Sequence, residues 1–157
     1  RTLLIAQLHR ENGEIEEAVN ELQAGIRKGF ANEQVFLELA ECFAVSGQHN
    51  ISRRAYFEAL KRLEQRNGDS ELMVRALYGL AHEDIQLGNE DEAISNLEYL
   101  LLIKSDYRDA SMLVEKLYQA KQTSSQSKSQ DVASQVLEQI VSMLGKSDNH
   151  PGPGGKA

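Results

Sequence analysis

The sequence predicts an all-α protein built as an array of helix pairs, and three observations carry the prediction. First, a local pattern recurs around Gly13, Gly47 and Gly88. An alanine stands seven residues before each glycine (Ala6, Ala40, Ala81) and an aliphatic residue eight before it (Ile5, Leu39, Leu80). A small residue follows five later (Ala18, Ser52, Ala93) and a large one nine later (Leu22, Tyr56, Leu97). The intervals are 34 and 41 residues, a range typical of units that bury their apolar faces only against neighbouring units. Second, both prolines lie in the last seven residues, so nothing in the body interrupts a helix. Third, leucine and alanine dominate the apolar residues, and both are strong helix formers.

Turn signals then divide the chain into helix-sized pieces. Residues 2–11 carry Leu4, Ile5 and Leu8, and residues 14–27 carry Ile15, Ala18, Leu22 and Ile26, with Asn12-Gly13 between them. Gly29 closes the second piece as a left-handed cap. Asn32 caps a third helix over 33–46, with the stripe Phe36, Leu39, Ala40 and Phe43. A fourth spans 50–66 and stops at Asn67-Gly68-Asp69-Ser70. Residues 71–87 and 90–103 flank Gly88, and acids at 90–92 suit the helix N-terminus. A seventh helix over 107–121 presents Ala110, Leu113, Val114 and Leu117 as a cap on the last unit.

The second interval exceeds the first by seven residues, and the excess falls between Leu60 and Leu77. About one turn added to each of two adjoining helices lengthens both without rotating either core stripe, giving a ridge of about 5 Å. Residues 122–130 (QTSSQSKSQ) read as a flexible polar linker. Residues 131–145 form an amphipathic helix through Val132, Val136 and Ile140, flanked by Ala133, Leu137, Val141 and Leu144 and stopped by Gly145. Residues 146–157 have the composition of a disordered tail. The apolar stripe of 131–145 is expected to fold back onto the array, to self-associate with a second copy, or to dock on another protein.

Charge narrows the partners. The chain carries 17 basic and 24 acidic residues, a net −7, and the whole excess lies in residues 1–121. An acidic body argues against nucleic acid, whose phosphates need clustered cations. No apolar run approaches the roughly 18–20 residues needed to cross a bilayer. The opening at Arg1 reads as a piece of a longer protein. Cys42 lies among Leu39, Ala40 and Phe43 and reads as a buried, inert thiol, which leaves the compartment open.

Phe36-x2-Leu39-Ala40-x2-Phe43, Gly47 and Ser52-x3-Tyr56-x2-Ala59-Leu60 resemble the tetratricopeptide repeat family. The third unit matches through Leu77, Leu80, Ala81, Gly88, Ala93 and Leu97, with Asp84 in a usual aromatic position. The first matches through Ile5, Ala6, Gly13, Ala18 and Leu22, with His9 in that position. Neither the family's tryptophan nor its closing proline is present. The resemblance covers residues 1–121. It implies a right-handed superhelix of antiparallel helix pairs with a concave groove lined by the first helix of each pair.

Catalytic patterns are not evident. No HExxH, CxxC or phosphate-cradling loop occurs, and no metal or cofactor is expected. His82-Glu83-Asp84 reads as a solvated helix face, since adjacent helical residues point apart. Basic Arg53, Arg54, Lys61, Arg62 and Arg66 read as a solvated outer face of the fourth helix. The expected function is non-catalytic binding of a peptide or helix in the groove, in an assembly or co-chaperone-like scaffold. The residues beside the core stripe are Gln7, Arg10, Gln34, Leu37, Glu38, Glu41, Tyr78, His82 and Ile85, with Leu37, Tyr78 and Ile85 as the exposed apolar contacts. The alternative is an oligomerisation or regulatory domain of an enzyme whose catalytic part lies upstream.

Overall fold

The computed structural model describes residues 1–148, with side-chain surroundings through Leu144. The described residues form seven helices and no strand: α1 (Thr2–Glu11), α2 (Ile15–Arg27), α3 (Glu33–Val45), α4 (His49–Gln65), α5 (Ser70–Gln86), α6 (Glu90–Ile103) and α7 (Ala110–Asp148). The all-α class read from the sequence holds. Residues 149–157, most of the expected disordered tail, lie outside the described residues.

The three glycine turns close in the same way. Gly13, Gly47 and Gly88 adopt φ of 81°, 76° and 79°, a left-handed region where a side chain is strained. The amide after each glycine donates to the carbonyl four residues before it: Glu14 to His9, Gln48 to Phe43 and Asn89 to Asp84, at 2.8–2.9 Å. These bonds satisfy carbonyls that the helix end would leave open. Asn32 caps α3 as expected, accepting from the Val35 amide at 3.0 Å. At α5 the cap is Asp69, accepting from Glu71 at 2.7 Å, one residue before the serine that begins the helix.

Packing follows the spacing. The six small residues are all buried: Ala6, Ala18, Ala40, Ser52, Ala81 and Ala93. They let paired helices approach, and Ser52 comes close enough to donate its hydroxyl to the Ala40 carbonyl at 2.8 Å. Leu22, Tyr56 and Leu97 are buried as well. Tyr56 reaches the next unit, where a Cβ on Gly79 would lie 2.2 Å from its ring. Each helix from α1 to α5 packs against the next, and α1, α3 and α5 also touch in a row. One apolar cluster joins α1 to α3 around Leu22, Leu39 and Phe43. A larger one runs from Leu37 of α3 through α4, α5 and α6 to Ala110, with Leu113, Val114 and Leu117 of α7 against it.

The seven extra residues lengthen helices, as expected. α4 and α5 each have 17 residues, against 13 in α2 and α3, about one turn more apiece.

The C-terminal expectation needs correction. Residues 122–130 are helical, and α7 runs unbroken through Gly145 to Asp148. The polar stretch contains neither proline nor glycine, and glutamine, lysine and serine are tolerated in helices. Continuing an existing helix needs no new nucleus. A single glycine costs only about 1 kcal/mol relative to alanine, too little to stop the helix. The chain divides into two compact units, 1–117 and 118–157. Within the second, every described side chain through Leu144 is exposed.

Candidate functional site

The first-helix row carries a polar ladder. Glu38 of α3 lies at its centre with 2% of its surface exposed. Its carboxylate accepts from Gln7 Nε2 at 3.0 Å, from Arg10 Nε at 2.9 Å and from Arg75 at 2.9 Å. One helix turn on, Glu41 accepts from Arg75 Nε at 2.7 Å and lies 3.4 Å from Arg10. Two arginines on the flanking helices thus share two glutamates on the middle one. Burial alone would push the Glu38 carboxyl up, but the hydrogen bonds from Gln7 and Arg75 and the charges of Arg10 and Arg75 outweigh it and hold the group below its ordinary 4.5. Arg75 is held correspondingly more basic, chiefly by its bond to Glu41.

Beside the ladder opens a cleft of about 360 Å³. Arg10, Glu41, Ala44 and Val45 form one wall, and Arg75, Tyr78, Gly79, His82 and Glu83 form another. Tyr56 lies at the cleft, and Tyr107 and Arg108 complete it from the turn before α7. Tyr78 anchors this side. Its ring lies 4.4 Å from that of His82 and 5.5 Å from that of Tyr107, and its hydroxyl donates to Asp109 at 2.6 Å. The Arg108 guanidinium sits 5.1 Å from the Tyr78 ring centre and 5.5 Å from that of Tyr107. Its backbone has φ 44°, a left-handed conformation that costs an arginine about 1 kcal/mol. His82 Nε2 is buried without a hydrogen-bond partner among the described residues.

The expected site residues therefore separate. Arg10, Glu41, Tyr78 and His82 line the cleft, while Gln7 and Glu38 belong to the ladder. Gln34 is exposed and Ile85 half-buried, both outside the cleft lining. Leu37 was expected to be exposed, and it is fully buried in the larger cluster. Its position beside the α3 stripe is therefore taken up by packing in that cluster and is not left open. Tyr56, Tyr107 and Arg108 have no signal in the first-helix spacing, because a second helix and a turn supply them.

The His82-Glu83-Asp84 segment also differs from expectation. Glu83 and Asp84 are 4% and 0% exposed, so this is not a solvated face. Glu83 lies 2.6 Å from His49 Nδ1 on α4. Asp84 accepts from Arg53 at 2.5 Å and from Asn96 at 3.1 Å. Asp84 stands where Phe43 stands in the preceding unit, and the acid exchanges an aromatic contact for bonds to two other helices. Arg53 is thereby drawn off the outer face, and Arg62 lies 4.7 Å from the Phe36 ring centre. Cys42 is buried as expected, and burial pushes its thiol up to about 11.

Among the described residues, no three His, Cys, Asp or Glu side chains gather as a metal site, and no helix is long and apolar enough to cross a membrane. Compared with known proteins, the chain matches no family model and no curated protein.

Proposed function

We propose that residues 1–121 are a tetratricopeptide-type repeat domain, a right-handed superhelix whose first-helix row binds a peptide or helix of another protein without catalysis. The single observation that carries the reading is the cleft beside the ladder. It joins apolar Ala44 and Val45, the Tyr78 and Tyr107 rings and the Arg108 guanidinium in one open recess on the row. Rigid aromatic and arginine side chains dominate protein recognition because they bring large contact area at small entropic cost. The ladder supports binding over chemistry: its carboxylates are engaged by arginines and hold the three helices in register. The repeated turn geometry and the six buried small residues support the family assignment.

Panning a library of helical and extended peptides against the chain tests the reading. Enriched peptides should lose at least about tenfold in affinity with Tyr78→Ser or Arg108→Glu, the range of a moderate hot spot. A library that yields no binder, or binders indifferent to both substitutions, contradicts it.

A further inference from the structure

The charges around the cleft do not cancel. Arg10 and Arg75 line it, but both are committed to Glu38 and Glu41. Glu83 is held by His49, and Asp109 accepts from the Tyr78 hydroxyl. Arg108 is left over: no carboxylate pairs with it among the described residues. Its side chain is exposed, and its guanidinium rests against the Tyr78 and Tyr107 rings. A ring engages the flat face of a guanidinium and leaves the forked N–H edge free, and that edge matches a carboxylate. The turn that carries Arg108 is tied to α5 by the bond from Tyr78 to Asp109, so the cation is held at the cleft.

The opposite wall adds an apolar contact. Val45 is 69% exposed and stands two residues before its turn glycine, where the other units carry Glu11 and Gln86. Its helix touches both α1 and α5, so the exposure does not come from a missing neighbour. The cleft volume of about 360 Å³ lies near the low end of small-ligand pockets, about 300–1,000 Å³. It has room for a few side chains of a bound peptide.

We propose that the cleft is a specificity pocket for one acidic side chain of a bound peptide, taken by Arg108, with an adjoining apolar side chain packed on Val45. The inference rests on the peptide-binding reading above and names what that peptide must carry. A single carboxylate matches a single uncommitted cation. The chain carries a net −7, and Glu41 and Glu83 line the same recess, so a run of acids or a phosphate dianion is repelled. The recess is open, so the peptide continues past it and the carboxylate comes from a side chain.

Peptides enriched from the library of helical and extended sequences test the pocket, each measured by calorimetry against the whole chain. Enriched peptides should share one Asp or Glu beside an apolar residue. Replacing that acid by its amide should weaken binding about tenfold to the native chain, and hardly at all to Arg108→Gln. A lysine at that position should bind Arg108→Glu more tightly than the acidic peptide does, a reversal that only direct pairing of the two positions explains. Val45→Ser should weaken both versions equally and leave the acid preference intact. Amidating the peptide C-terminus should change nothing. Arg108 and Val45 are exposed, and unchanged thermal melts would show each variant folded. Binders that prefer no acid, or whose acid preference survives Arg108→Gln, overturn the pocket while leaving the peptide-binding reading in place. Binding lost on C-terminal amidation also overturns it, by assigning the carboxylate to the chain end. A library without any binder removes both.

Discussion

Residues 97–100 and 136–140 look alike in sequence, with apolar side chains at helical spacing among polar ones, yet they end in opposite surroundings. Leu97 and Leu100 on α6 are fully buried, whereas Val136 and Ile140 on α7 remain 48% and 47% exposed. The difference lies in what surrounds each helix. α6 packs against α5, with the small residues Ala81 and Ala93 buried nearby. Residues 118–144 are described as helix with every side chain exposed. Periodicity sets which side of a helix is apolar, while only the recurrence of a complementary unit determines whether that side is covered. In water, a helix without tertiary cover depends on intrinsic propensity and is marginal.

The largest effect that would break this contrast is expected at the ladder. Glu38→Ala leaves Arg10 and Arg75 facing one another around a buried vacancy and should cost about 3 kcal/mol, the lower end for breaking a buried pair. Denaturant titration would measure it, and a loss below about 0.5 kcal/mol would mean the ladder is ornamental. Gly79→Ala should come next, at about 2–3 kcal/mol, because its Cβ meets the Tyr56 ring. Pairing it with Tyr56→Leu should recover part of that loss in a double-mutant cycle.

The pH dependence sharpens the first prediction. The folded Glu38 carboxyl titrates below its ordinary 4.5. Its contribution is therefore complete above about pH 4.5 and is lost as pH falls through the lower folded value. The stability advantage of the native chain over Glu38→Gln should be flat from pH 7 to 5 and shrink below that, in urea titrations at stepped pH. A gap that widens in acid would reverse the assigned sign. The smallest effect belongs to the other region: deleting residues 122–157 should change the unfolding free energy of the remainder by less than about 0.5 kcal/mol.

Much of this was legible from residue spacing. The three glycines, the six small residues and the seven-residue excess act through local backbone and pairwise packing, so sequence distance reports them directly. What escaped depended on contacts between helices. Leu37 and Tyr78 occupy the same register in successive units, yet one is fully buried and the other lines a cleft, because only α5 has the turn at 107–109 beside it. Asp84 resembled a surface acid until Arg53 and Asn96 arrived from other helices. The linker at 122–130 was read from composition, but helix continuation depends on its flanks as well.

Hydrogen exchange read by mass spectrometry compares the two regions most directly, since amide protection reports opening free energy segment by segment. The account predicts that amides of α3 to α6 exchange only through global unfolding, while those between 122 and 144 exchange within about tenfold of unstructured rates. Equal protection across both regions would contradict it.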